Sequence, residues 1–383
     1  MVNFMSHSFD EKNIMIIAGE ASGDIHGSRL VKAMKDKNSK LVFFGIGGDM
    51  LKKAGVKIIQ DASALSVVGI TEVLSKIFSL IKSLADAKKA LKTLKPDLLI
   101  LIDFPDFNLK IAAAAKKLGI PVLYYISPQV WAWRQGRVKK IKNLVNHLAV
   151  ILPFEKEFFE KHGVPVTYVG HPLLDGEYFT SEYNKKSGVQ EVGLLPGSRD
   201  KEVTKHLPVL LQAASLIKKE KEDIEISVSL APTVKRQHVE KIMIEHGFSD
   251  YNIITEGMEQ IFKKCSLVIA VSGTVTLEAA LAGIPMIIIY KVSPVSYLLG
   301  KALIRVSNIC LVNLIAGRQI VPECIQERAT PENIAGQALK MFNNPEKLKT
   351  MRNELIGIRD ILGGSGASER VADIALSMLQ ISK

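Results

Sequence analysis

The sequence predicts an α/β protein made of two doubly wound parallel-sheet domains that face each other across a cleft. Three observations carry this. Short Val/Ile/Leu-rich runs alternate with stretches of helical periodicity, the pattern of parallel strands covered on both faces. The 383-residue length exceeds what a single core usually fills. The segment HPLLDGEYFTSEYNKKSGVQ, residues 171–190, has little periodicity and several turn formers, and it splits the alternation into two series.

In the first series, residues 13–18 read as a strand and 24–35 as the helix that follows. Residues 41–45, 98–102, 122–126, 149–152 and 167–169 are near-continuous apolar strands, and Lys- and Ala-containing helices over 81–94 and 109–118 separate several of them. The second series has strands at 191–195, 225–230, 252–255, 267–271 and 286–290. From Pro331 onward the chain turns polar and helical. The expected domains are 1–172 and 173–350. A helical segment, 351–383, either packs back on the first domain or is exchanged between the subunits of a homodimer. Ligands in such sheets bind beyond the carboxyl ends of the strands.

Composition narrows the setting. Fifty Lys+Arg against 39 Asp+Glu leave a net charge of +11, which favours anionic partners: phosphorylated substrates, nucleic acid or an anionic membrane face. The three cysteines, Cys265, Cys310 and Cys324, are odd in number and share no metal-like spacing, as expected in a reducing cytosol. The first residues, MVNFMSHSFDEKN, lack the basic and apolar regions of a signal peptide. The longest uncharged run, 118–133, is broken by Pro121 and Pro128, whereas a membrane span needs roughly 20 apolar residues. The expectation is an intracellular chain without a membrane-spanning helix.

The loops after the strands hold the candidate chemistry. GEASGD, residues 19–24, is a poor phosphate cradle, because Glu20 and Asp24 already place negative charge at the helix start and no Lys or Arg stands between the loop and Arg29. A carboxylate there suits sugar hydroxyls or base chemistry; Asp24 alternatively caps the helix. His26, one turn in, either faces the cleft or packs. LLPGSR, residues 194–199, is the better anion site, with Gly197 permitting close approach, Ser198 donating and Arg199 offering a bidentate fork. SGTVTLE repeats the strand–turn–helix form: Gly273 and Thr274 present N–H groups at a helix start, and Glu278 can accept from ribose hydroxyls.

IDFPDFN ends a buried strand with Asp103, well placed to take a proton from a hydroxyl, and an ordinary carboxylate pKa suffices for that. Asp106 or Asn108 fits the job of capping the next helix. SPQVWAWR joins Trp131, Trp133 and Arg134 to a basic stretch that either grips an anionic partner or is solvated around packed tryptophans. Val67, Val68, Ile70, Val73, Leu74, Ile77, Phe78 and Ile81 are too many apolar residues for one narrow stripe; they form either a membrane-interface segment or a buried helix. There is no DxD pair and no cluster with metal spacing, so neither a metal nor a cofactor is expected, and Arg199 with the helix termini must neutralise any phosphate.

Nine motifs in order resemble the lipid-A-disaccharide synthase family, inverting glycosyltransferases of Gram-negative lipid A and lipopolysaccharide biosynthesis. They are GEASGD, SVVGITEVL, IDFPDFN, SPQVWAWR, LPFE, VGHPL, LLPGSR, SGTVTLE and NLIAGR. The likeness runs from about Ile16 to Glu327; where the family usually has Ala, this chain has Phe104. The resemblance implies a GT-B fold. It also implies transfer of 2,3-diacylglucosamine from its UDP donor to the 6-hydroxyl of 2,3-diacylglucosamine 1-phosphate, giving a β-1,6 disaccharide 1-phosphate and UDP. It makes Asp103 the catalytic base. Glu20 and His26, with Ser22, Gly23, Asp106, Trp133 and Arg134, fall on the acceptor side. Arg199, Glu278 and Asn313, with Gly197, Ser198, Gly273 and Thr274, bind UDP. The first domain becomes the acceptor- and membrane-binding one, with the apolar segment near 67–81 its membrane contact, and the second the UDP-sugar domain. The partners implied are the two acylated sugars and an anionic membrane surface, not nucleic acid. The protein would sit peripherally on the cytoplasmic face of the inner membrane.

Two rival readings make distinct predictions. Another GT-B enzyme on UDP-sugars, an epimerase above all, needs no acceptor. A membrane- or nucleic-acid-binding protein releases no UDP. A dinucleotide dehydrogenase is disfavoured, because no GxGxxG follows the first strand.

Overall fold

The computed structural model describes residues 11–62, 73–133, 135–176, 190–248, 251–293, 297 and 308–381. The chain forms two compact units, residues 1–175 together with 364–383, and residues 176–363. The divisions fall three residues and thirteen residues beyond the expected 172 and 350.

The first unit runs β1 (Lys12–Ala18), α1 (Ala21–Lys37), β2 (Leu41–Gly47), α2 (Asp49–Lys53), β3 (Lys57–Asp61), α3 (Val73–Leu94), β4 (Leu98–Ile102) and α4 (Pro105–Lys117). It continues with β5 (Val122–Tyr125), α5 (Val130–Trp133), α6 (Val138–Leu144), β6 (His147–Val150), α7 (Pro153–Lys161) and β7 (Val166–Tyr168). Its seven strands lie in the order β3-β2-β1-β4-β5-β6-β7, all parallel. Alternation within each strand feeds two cores. Met15, Ile17, Leu99 and Leu101 face one side, and Ile14, Ile16, Leu98, Ile100 and Ile102 the other. That is why these strands read as unbroken apolar runs.

The second unit has β8 (Glu191–Leu195), α8 (Asp200–Glu220), β9 (Glu225–Ser229), α9 (Arg236–Glu245), β10 (Asn252–Ile254), α10 (Met258–Lys264), β11 (Leu267–Val271) and α11 (Thr274–Leu281). There follow β12 (Met286–Tyr290), α12 (Leu311–Ala316), β13 (Glu323–Ile325), α13 (Pro331–Phe342) and α14 (Pro345–Ile361). The parallel order is β10-β9-β8-β11-β12-β13. The last helix, α15 (Ala367–Ile381), belongs to the first unit. Val371, Ala372, Ala375 and Leu379 join Leu30, Val31 and Met34 of α1 in one core. The Asp175 carboxylate accepts the backbone N–H groups of Gly366, Ala367 and Ser368 at 2.7–2.9 Å and also the Ser368 hydroxyl, closing the start of α15.

Each sheet therefore contains one point where the strand order reverses, between β1 and β4 and between β8 and β11. There the carboxyl ends of neighbouring strands diverge and make room for a ligand. The first point gathers the loop after Ala18 and the loop after Ile102. The second gathers the loops after Leu195 and Val271.

Two strands go beyond the sequence reading. β3 is a half-exposed edge strand and β13 only three residues long, so neither carries a long apolar run. α1 starts at Ala21, three residues earlier than expected, and α3 and α4 also begin earlier.

Candidate active site

At the first switch point β4 runs into two successive non-glycine residues in the left-handed region, Asp103 (φ 45°) and Phe104 (φ 50°). Such residues cost of order 1–3 kcal/mol each and persist only where the surroundings enforce them; an aspartate tolerates the region better than most. The Phe104 ring lies so close to Gly19 that a Cβ there would approach it to 2.5 Å, so in this chain the loop after β1 needs glycine at that point. A second contact, Phe104 to Phe107 with ring centroids 5.4 Å apart, holds the ring from the helix side. Two packed rings and the glycine thus fix the turn that carries Asp103.

Asp103 is largely buried, and its pKa is raised from 3.8 to about 6. Burial is the main cause and the charge of Glu20 adds to it, while the Phe104 N–H opposes it. The chemistry needs no more than an ordinary carboxylate, and the raised value has a local origin: the residue stands at a desolvated strand end beside a second carboxylate. Among the described residues it enters no ion pair. Glu20 is exposed and flanks α1 without using its side chain as a cap. Ser22 is exposed too, whereas Gly23 is buried where α1 crosses Ala18 and Ile102.

Asp24 does not cap its own helix. Its carboxylate accepts the N–H groups of Gly48 (2.7 Å), Met50 (2.9 Å) and Leu51 (3.2 Å), so it caps α2 from within α1. His26 packs: it is buried, its pKa is lowered to about 4 by burial with Arg29 adding, and its neighbours include His171 and Asp175. The expected capping of α4 also needs correction. Phe104 occupies the N-cap position. Asp106 is an exposed first-turn residue paired with Arg137 at 2.7 Å, and Asn108 is fully buried with its amide turned to the strand end.

Glu155 of the LPFE motif is a residue the sequence reading did not single out. It is 1% exposed and accepts Ser127 Oγ, Trp131 Nε1 and the N–H groups of Ile151 and Leu152 at 3.0–3.3 Å. Burial lifts its pKa to about 7 against those donors. It thereby ties the loop after β5 to the loop after β6; only the motif itself hinted at this. Trp131 of SPQVWAWR is packed, set edge-on to Phe154. Trp133 ends α5, and Val73, Leu74, Ile77 and Phe78 open α3. Val67, Val68, Ile70 and Arg134 lie outside the described residues.

At the second switch point Gly197 has φ 116°, a conformation that favours glycine, and a Cβ there would meet Glu202. Glu202 accepts the Ser198 N–H and the Arg199 guanidinium, each at 3.0 Å, while Thr233 donates its hydroxyl to the Ser198 carbonyl. Arg199 is 70% exposed. Across the switch point, Gly273 and Thr274 are exposed at the start of α11, Gly273 in extended backbone where a Cβ would meet only the Val271 carbonyl, at 4.0 Å. Glu278 is half-buried, not solvated, and burial raises its pKa. Among the described residues its carboxylate meets no donor.

Asn313 is fully buried, and both ends of its amide are engaged. It donates to Val321 O and Glu323 Oε1 and accepts from Ile320 N and Val321 N, at 2.8–3.0 Å. Glu323 in turn accepts the N–H groups of Ile309 and Cys310. Asn313 is thus committed to ordering the segment between α12 and β13.

The family model for lipid-A-disaccharide synthetase matches residues 14–373. The chain belongs to this family. The lipid-A-disaccharide synthase of Syntrophus aciditrophicus is 45% identical over 380 residues, covering 97% of this chain and 99% of that one. That of Geobacter metallireducens is 45% identical over 375 residues, covering 96% and 97%. Membership makes the chain a glycosyltransferase of lipid A biosynthesis with a GT-B fold, and the family's activity, not an epimerase's, is the favoured one. Solved structures at lower identity share the fold. A Staphylococcus aureus MnaA–UDP co-structure has a TM-score of 0.66 at 15% identity, covering 97% of both chains. Acinetobacter baumannii MurG has 0.58 at 17%, covering 96% and 99%. Among the described residues no helix is long and apolar enough to cross a membrane.

Proposed function

We propose that the protein transfers a 2,3-diacylglucosamine unit from its UDP donor to the 6-hydroxyl of 2,3-diacylglucosamine 1-phosphate, in a single displacement that inverts the anomeric centre. Asp103 takes the hydroxyl proton as the oxygen attacks the anomeric carbon from the face opposite UDP. A sugar hydroxyl is so weak an acid that its proton leaves late, and a base with a raised pKa is better matched to receive it. The observation that carries this reading is the Asp103 turn: a largely buried carboxylate without an ion pair among the described residues, at a switch point, in a chain of this family.

Glu20, Ser22, Gly23 and Asp106, with Trp133 and Arg134, serve the acceptor, and buried His26 supports them from behind. Arg199, Ser198 and the helix starts near Gly197 and Gly273–Thr274 take the diphosphate and stabilise it as it leaves. Glu278 accepts from the ribose, and Asn313 acts through the segment it orders. The 1–172 region carries the acceptor and the membrane contact at Val67, Val68, Ile70, Val73, Leu74, Ile77 and Phe78; 173–350 carries UDP. The enzyme works without metal or cofactor, peripherally on the cytoplasmic face of the inner membrane, where the net charge of +11 favours an anionic lipid surface.

The test is direct. Purified protein is incubated with both acylated sugars, and the product is read by mass spectrometry and its linkage by NMR. A β-1,6-linked disaccharide 1-phosphate with equimolar UDP is expected, with turnover unchanged by EDTA. Conversion of the donor in the absence of acceptor would overturn the reading.

A further inference from the structure

The turn that carries Asp103 is held at its peptide group as well as by packing. The Asp103 N–H donates to the carbonyl of Tyr125, the last rung between β4 and β5. On the other side, the Asp103 carbonyl accepts two hydrogen bonds, from the Tyr124 hydroxyl at 2.7 Å and from Asn108 Nδ2 at 2.6 Å. Asn108 also reaches the Ile102 carbonyl at 3.2 Å. Tyr124 and Asn108 are both 0% exposed. Neighbouring residues of β5 thus grip opposite ends of Asp103, and both lone pairs of its carbonyl are used.

We infer that Tyr124 and Asn108 are positioning residues for Asp103. They hold its carbonyl so that the backbone stays left-handed and the carboxylate stays aimed. The inference rests on the reading of Asp103 as the base. A buried phenol usually finds an acceptor, so the bond alone says little. Its choice of acceptor is what counts: the carbonyl of a residue in a rarely occupied conformation, one that would relax if the clamp were released. Neither residue touches substrate in this scheme. Releasing the carbonyl lets the carboxylate swing, and a displacement of order 1 Å at a reacting group costs roughly a hundredfold in rate.

The experiment is Tyr124→Phe, which removes one hydroxyl and leaves the ring packed. Turnover should fall by roughly ten- to a hundredfold, while both KM values and the UDP dissociation constant stay within about twofold of wild type. Tyr168→Phe, the same deletion on β7, should leave turnover unchanged. Asn108→Ala provides a second route to the same kcat-selective loss should Tyr124→Phe not fold. In an Asp103→Asn background, Tyr124→Phe should add nothing, since the group it aims is gone.

Wild-type turnover in Tyr124→Phe, a loss seen in KM alone, or a full additional loss on top of Asp103→Asn would overturn the positioning role. If Asp103→Asn itself keeps turnover, the base assignment falls and takes this inference with it. An inactive Asp103→Asn beside a fully active Tyr124→Phe sinks the inference alone.

Discussion

Replacing Asp103 by Asn should make the protein more stable while disabling it. The carboxyl's pKa stands at about 6 against 3.8 in its usual state, chiefly through burial and then through the charge of Glu20. A group whose folded pKa is raised binds its proton more tightly in the folded chain. Stability is therefore lost as the pH rises from 3.8 to about 6, and the full penalty persists above that. A rise of this size corresponds to about 3 kcal/mol, an upper figure because part of the carboxyl touches solvent. Asparagine keeps the shape, tolerates φ 45° and carries no charge to desolvate. At roughly 2–4 °C per kcal/mol for a unit of this size, the variant's melting temperature at pH 8 should rise by up to about 12 °C. The gain should shrink to nearly nothing at pH 4. Thermal melts of both proteins between pH 4 and 8 read this directly. A variant less stable than wild type at pH 8, or a difference independent of pH, would refute the picture of a penalised carboxylate.

Further consequences follow from the same geometry. The acidic limb of kcat/KM should inflect near pH 6, because the base must be ionised in the free enzyme; in Glu20→Gln it should move to lower pH yet stay above 3.8, since burial is the larger cause. Glu202 holds the Ser198 N–H and Arg199 as an internal anion, so Glu202→Gln should tighten UDP binding by roughly fivefold in calorimetry, whereas Arg199→Ala should weaken it by at least about tenfold. Asp175→Ala should destabilise the first unit by about 1–2 kcal/mol at neutral pH, measured by urea denaturation. Burial works against the Asp175 charge, but the donors at the α15 start outweigh it and hold its pKa below the usual value, so this contribution fades as the pH falls below the carboxylate range.

What the sequence revealed and what it concealed divide along physical lines. Strands such as 14–18 and 98–102 were legible because both faces are buried and every position is apolar. β3 was not, since an edge strand with alternating half-exposure spreads too little apolar character over five residues. The loops carrying the candidate residues were legible from strand–turn–helix spacing, and the motifs tied them to one family. Their internal wiring was hidden because it joins residues distant in sequence. Asp24 serves a helix that starts 25 residues later, Asp175 closes a helix nearly 200 residues on, and Asn313 spends its amide on a neighbouring segment. The left-handed Asp103–Phe104 pair had no signal at all, for neither residue is glycine and the clamp comes from β5 and α4.

The most direct test of the central claim is the rate of disaccharide formation by Asp103→Asn at pH 8, with UDP affinity measured on the same preparation. Loss of a general base predicts a fall of roughly 10²- to 10⁴-fold with UDP binding intact. Turnover within about tenfold of wild type would mean that another group takes the proton.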